Sequence, residues 1–175
     1  MNQLLSNRRH VLTLLLCSSG FAKGKKTAHP AGFSFELPDK WKWEFAERGG
    51  VLLPPGVIVD PEKEDNPEIY SFRLPASESN AAERNYVDDL KAELKGSKIS
   101  PDRGGDIENF SEPGLGGVIY TFDFLHPRQK VPYRIRVFAM SAKGKLLFLI
   151  ANGHRAKIET RDRVLREIAR SIAWR

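Results

Sequence analysis

Side chains that could do chemistry are few in this chain, and their spacing commits them to no common task. Four histidines occur, His10, His29, His126 and His154, and no two stand three or four residues apart, the spacing that puts two ligands on one helix face. A zinc or copper centre would need His126, His154 and carboxylates such as Asp123 to be assembled by folding alone, so no metal site is expected. There is no Gly-x-Ser-x-Gly elbow to present a nucleophilic serine. Pro113-Gly114-Leu115-Gly116-Gly117 is rich in glycine, but it leads into a strand pattern and no Gly-Lys-Ser/Thr follows, so it reads as a turn and not as a phosphate cradle. Glu62, Glu64 and Asp65 fall in a polar loop without the ligand spacing of an EF-hand, and Asp88 and Asp89 fall on a helix surface. Both read as solvated charge. The expectation is no catalytic residue, no cofactor and no metal.

Basic residues offer a different chemistry, the recognition of anions. Arg128, Lys130, Arg134 and Arg136 fall on one hairpin, with Arg134 and Arg136 on the same face of one strand. Together with Trp41 and Trp43 near the first strand they form the expected interaction surface, suited to an acidic protein face or to an anionic envelope polymer or lipid. The competing reading is that Arg134 and Arg136 pair with carboxylates on a neighbouring strand. Tyr133 and Phe138 could stack bases between these cations, but Glu159, Asp162 and Glu167 interrupt the basic run of the last helix, and no nucleic-acid partner is expected.

The elements that must hold these residues follow from periodicity. Phe33, Phe35 and Leu37 alternate with Ser34 and Glu36, the period of a half-buried strand that Pro38 stops. Trp41, Trp43 and Phe45 repeat the alternation and read as core, and Gly49-Gly50 turns the chain into Val51–Leu53. Val57–Val59 is a further short apolar stretch, and Ile69–Leu74 is a strand. The period then lengthens: Val87, Leu90 and Leu94, with Ala82 and Tyr86, form the stripe of an amphipathic helix over Asn80–Lys95, which Gly96 ends. A weak strand over Asp106–Phe110 precedes three strong ones, Gly117–Leu125, Val131–Met140 and Leu146–Ala151, joined closely enough to form an antiparallel meander. Leu146–Ala151 lacks polar alternation, as a central strand covered on both faces does. A second helix over Ile158–Ile172 closes the chain, its stripe formed by Ile158, Leu165, Ile168 and Ile172.

At 175 residues, with 41% hydrophobic and 29% charged side chains, the chain has enough apolar content for one packed core and excludes fibrous and wholly disordered classes. Residues 1 to 22 stand apart. Arg8 and Arg9 precede an apolar stretch from Val11 to Phe21, too short to span a bilayer, and Gly20-Phe21-Ala22 supplies the small residues of a cleavage site after Ala22. The paired arginines resemble a twin-arginine export signal in part, with general secretion the preferred route. Leu16 before Cys17 disfavours lipidation of that cysteine, whose ordinary place is inside the apolar run. Cleavage leaves about 153 residues, 26 basic against 22 acidic side chains for a net charge of +4, and no thiol. Lys23, Lys25 and Lys26 then begin a flexible basic arm over residues 23–31, ahead of a single domain over 32–175. The chain is expected outside the cytoplasm, periplasmic or extracellular, with no membrane span after cleavage.

The order of parts, F-S-F-E-L-P-D-K-W, a mid-chain helix, strands of the form G-x-x-Y-x-F, Y-R-I-R-V-F and K-L-L-F-L-I-A, and a final helix ending in R-S-I, resembles the PsbP-like superfamily. That group includes the photosystem II extrinsic subunit, DcrB-like bacterial envelope proteins and a Ran-binding nuclear import factor. The resemblance covers about residues 32–175. It implies an α+β fold, an α/β/α sandwich with a mostly antiparallel sheet of about six strands and helices on both faces, and accessory or binding roles without enzymatic activity. The expected function is thus an exported, non-enzymatic interaction protein of the bacterial envelope. Two alternatives stand beside it: a small-ligand-binding module, which requires an apolar pocket of several hundred Å3, and a small hydrolase or metal-dependent enzyme in a sheet-edge cleft.

Overall fold

A computed structural model describes residues 24–59, 66–75, 82–96, 106–112 and 115–175. The leader read over residues 1–22, the acidic loop Glu62–Asp65 and the first two residues of the glycine-rich turn lie outside these.

Two sheets are present among the described residues. The larger has seven strands in the order β3-β4-β5-β9-β8-β7-β6, comprising β3 (Lys42–Ala46), β4 (Gly49–Leu53), β5 (Glu68–Arg73), β6 (Asp106–Glu112), β7 (Leu115–Leu125), β8 (Pro132–Ala142) and β9 (Lys145–His154). Every pairing is antiparallel. The smaller has three, β1 (Lys25–Ala28), β2 (Phe33–Leu37) and β10 (Ala173–Trp174), in the order β1-β2-β10. Two helices accompany them among the described residues, α1 (Ala82–Gly96) and α2 (Arg155–Arg170).

The alternation of side chains along each strand divides the large sheet into two apolar faces. On one, Phe138 and Met140 of β8 and Leu147 and Leu149 of β9 meet Ile158, Leu165 and Ile168 of α2 and the aromatic residues of the small sheet, Phe33, Phe35 and Trp174. On the other, Val137 and Ala139 of β8, Phe122 and Phe124 of β7 and Phe148 of β9 pack with Val87, Tyr86 and Leu90 of α1. Strand β9 sits fourth of seven, and its Leu147, Phe148 and Leu149 are fully buried, which accounts for its unbroken apolar run.

Three expectations need correction. The sheet of about six strands is one of seven with a three-stranded sheet added, because the terminal segments pair with β2. Lys25–Ala28, read as a flexible arm, is β1, in register with Ser34–Leu37. Its anchor is His29, which is buried beside it. The Ala31 N–H donates to His29 Nδ1 at 3.0 Å, so Nε2 carries the proton and donates to the carbonyls of Ala46 and Gly49 at 3.0 and 3.1 Å. The imidazole also stacks on Phe33 with ring centroids 4.6 Å apart. Third, α2 begins three residues early, at Arg155, directly on leaving β9, and ends at Arg170. The Ser171 hydroxyl donates to the Ile168 carbonyl at 2.7 Å and accepts from the Glu36 N–H at 2.8 Å, tying the helix end to β2. The short apolar stretch Val57–Val59 lies outside both sheets, and its Ile58 is 85% exposed.

Candidate functional site

Two of the histidines meet at one end of the large sheet. His126 and His154 flank Tyr133, with ring centroids 4.8 and 5.4 Å from it. Gln129 links them: its N–H donates to His126 Nδ1 at 3.1 Å and its Oε1 accepts from His154 Nε2 at 3.0 Å. The Tyr133 hydroxyl donates to the Asn66 carbonyl at 2.6 Å. Among the described residues no group of three His, Cys, Asp or Glu side chains is placed to hold a metal ion.

The basic residues go to two different places. Arg134 and Arg136 point from β8 toward α2, where acidic partners converge. Arg134 makes a two-pronged contact with Asp123 on the adjacent strand, at 2.6 and 2.7 Å, and reaches Glu159 of α2 at 3.2 Å. Arg136 donates to Asp162 of α2 and lies 3.3 Å from Glu108 of β6. Arg166 grips the same Glu108 through both terminal nitrogens at 2.7 Å and donates to Asp162 at 3.0 Å, and Arg170 donates to Glu112 at 2.7 Å. Spacing of four along α2 supplies further pairs, Arg155–Glu159 and Arg163–Glu167. The hydrogen bond from Arg166 holds the Glu108 carboxyl below its usual range. Burial pushes the Arg136 guanidinium down to about 10, with neighbouring Arg166 adding to the shift and Glu108 opposing it, so Arg136 is charged at neutral pH.

A second polar cluster lies under the start of α2. The Tyr70 hydroxyl donates to the buried Glu68 at 2.5 Å, Arg161 stands 3.7 Å from the same carboxylate, and its guanidinium lies 5.9 Å from the centre of the Trp41 indole. Burial, and then the hydrogen bond to Glu68, raise the ionisation of Tyr70 above its ordinary range.

Of the six residues expected to form one interaction surface, the structure leaves two in the open. Arg128 and Lys130 are exposed in the β7–β8 turn. Arg136 and Trp41 are each only 8% exposed, Arg134 is held by Asp123, and Trp43 is half-buried against Phe35 and Phe72. The six do not form one patch, because the strand alternation that unites Arg134 and Arg136 turns both toward a helix.

What sequence reasoning missed is a groove on the other face. Side chains of α1 pack over β7, β8 and β9, and beyond Tyr86, whose ring stacks on Phe148 at 4.4 Å, no described element covers the β4–β5 part of the same face. A cavity of about 540 Å3 lies there, its lining mostly apolar and including Val51, Phe72, Leu74, Pro75 and Tyr86. Arg48 and Arg73 also line it. Arg73 sits at the end of β5, opposite Gly49 and Phe148, and is exposed. Arg48 lies in the β3–β4 turn, whose carbonyl accepts from the Leu74 N–H at 2.9 Å, while its guanidinium donates to the Pro75 carbonyl. The close approach of β4 to β5 here depends on Gly49, with φ at 142°, where a Cβ would fall 2.0 Å from the Phe72 carbonyl oxygen. The one sequence signal was the pair of short gaps in apolar patterning at Ser71 and Arg73, which marks a strand face that is not core.

Comparison with solved structures identifies the fold. The chain is similar to cyanobacterial PsbP (CyanoP) from Synechocystis sp. PCC 6803, with a TM-score of 0.53 over 90% of this chain and 96% of that one at 15% identity. Weaker likenesses are to the protein of unknown function PA94 from Pseudomonas aeruginosa, at 12% identity, a TM-score of 0.46 and 86% and 96% coverage, and to a chain from Bacteroides thetaiotaomicron, at 16% identity, 0.47 and 87% and 49% coverage. No family model and no curated protein matches the sequence. The fold is PsbP-like: a mostly antiparallel sheet flanked by two helices.

Proposed function

We propose that this protein is a non-catalytic binding domain, exported by its leader, whose site is the groove beside α1. The observation that carries this reading is the cavity of about 540 Å3 with Val51, Pro75 and Tyr86 among its apolar lining. Ligand sites typically fall at about 300–1,000 Å3 and combine apolar walls with a few polar groups. The basic hairpin gives weaker support to a polyanionic partner, since Arg134 and Arg136 are already engaged by carboxylates of the same chain. An enzymatic reading has less to draw on in His126 and His154, whose contacts with Gln129 and Tyr133 are those of a polar cluster at the strand ends. Export is supported by the charged-then-apolar order of residues 8–21.

Thermal denaturation of the mature domain against a panel of small apolar and amphiphilic compounds tests the reading. A compound that binds only the folded state raises the midpoint with concentration. We expect some compounds to do so, and Ser71→Trp, which places an indole in the groove, to abolish the rise. Val51→Trp serves the same purpose from the neighbouring strand should the first variant not fold. A panel without effect, or a rise unchanged in both variants, contradicts the proposal.

A further inference from the structure

From the charges at the groove, and resting on the binding role just proposed, we infer that its ligand is a single-tailed amphiphile with a carboxylate head. The tail lies on Val51, Pro75 and Tyr86, and the head meets Arg73, with Arg48 as its second donor. Two observations independent of cavity volume support this. Among the described residues Arg73 has no ion-pair or hydrogen-bond partner, although it is fixed at the backbone by pairing with both Gly49 and Phe148. Among the described residues Arg48 donates only to the Pro75 carbonyl, so most of its five N–H donors meet no acceptor there. The arginines of the opposite face behave otherwise: Arg134, Arg136, Arg166 and Arg170 each meet a carboxylate.

Two cations standing over an apolar wall favour an anion with an apolar body over either a neutral hydrocarbon or a hydrophilic anion. A guanidinium presents a planar fork that matches both oxygens of a carboxylate, and a concave site shields that contact from water more than a flat surface does. Arg73 carries one unpaired guanidinium, which suits a single negative charge. The concavity selects a small molecule over a protein surface, because a ligand inside it buries most of its area.

The test uses a neutral fluorescent reporter, N-phenyl-1-naphthylamine, displaced from the mature domain by decanoate or by decanol, which share a chain and differ in charge. We expect the reporter to bind the wild type with one-to-one stoichiometry and decanoate to displace it at about tenfold lower concentration than decanol, the scale of one charge-assisted hydrogen-bonded contact. Arg73→Gln should bring the two competitors together while leaving reporter binding intact, and Arg48→Gln should narrow the gap in part. Unchanged melting of Arg73→Gln establishes that the loss is local. If the reporter does not bind, or binds equally to Ser71→Trp, the binding role of the groove fails and the inference falls with it. If the reporter binds the groove but decanoate and decanol compete equally, or Arg73→Gln leaves their ratio unchanged, the groove stands and the carboxylate inference is overturned. Equal preference for decanoate and decyl phosphate would likewise overturn the choice of a singly charged head.

Discussion

Arg136 and Arg73 stand on opposite faces of one sheet and meet opposite circumstances. Arg136 is nearly buried beneath α2, donates to Asp162 and faces Glu108, while Arg73 is exposed at the edge of a groove with no carboxylate of the described residues against it. The helices explain the contrast. Acidic residues of α2 alternate with its arginines, so the helix brings Glu159 and Asp162 down onto the basic strand and receives Glu108 and Glu112 from β6. Helix α1 covers β7 to β9 with apolar side chains and leaves the β4–β5 part of its face open. Positive charge in this protein therefore stands in two settings: on one face it is paired between layers, on the other it is exposed beside a groove.

The largest effect should come from breaking a pair on the α2 face. Asp162→Ala strands a guanidinium that has little access to water, with only the more distant Glu108 to compensate, and should cost about 2–3 kcal/mol. Urea denaturation measures this; a cost below about 0.5 kcal/mol, the ordinary range of surface substitutions, would put Arg136 in the same class as Arg73 and dissolve the contrast.

A smaller effect should appear with pH. Because Arg166 holds the Glu108 carboxyl below its usual range in the folded state, the stabilisation is present above the unfolded value and is lost as pH falls below about 4.5 and through the lower folded value. The denaturation midpoint of the wild type should decline over that interval more steeply than that of Glu108→Gln. Parallel curves would show that Arg166 does not discriminate between the two protonation states.

Much of this architecture was legible in the sequence, and its failures share one cause. Strands β2, β5, β7, β8 and β9 and both helices follow from periodicity, since each buries a regular face, and the doubly apolar β9 correctly announced the centre of the sheet. Lys25–Ala28 carries no such pattern: its exposed lysines fit an edge strand as well as an arm, and it is pairing with β2 and the lock at His29 that orders it. Phe45, read as core, is 57% exposed because β3 is the outermost strand. Arg134 and Arg136 could be placed on one face from their spacing, but which layer that face meets depends on long-range topology. The groove was least legible, because it arises where α1 stops covering the sheet, and no local pattern encodes that boundary.

The smallest expected effect completes the comparison. Arg73→Gln should alter stability by less than about 0.5 kcal/mol, as expected of a surface cation without a partner, and an appreciable loss would mean that this charge also serves the fold.

The contrast is tested most directly by the side-chain Nε–Hε resonances of the arginines, followed by nuclear magnetic resonance while decanoate is added to the protein. The account predicts a saturable shift of the Arg73 resonance, accompanied by the amides of Val51 and Ser71, with Arg134, Arg136 and Arg166 unmoved in their ion pairs. Movement of the α2-face arginines with Arg73 silent would contradict it.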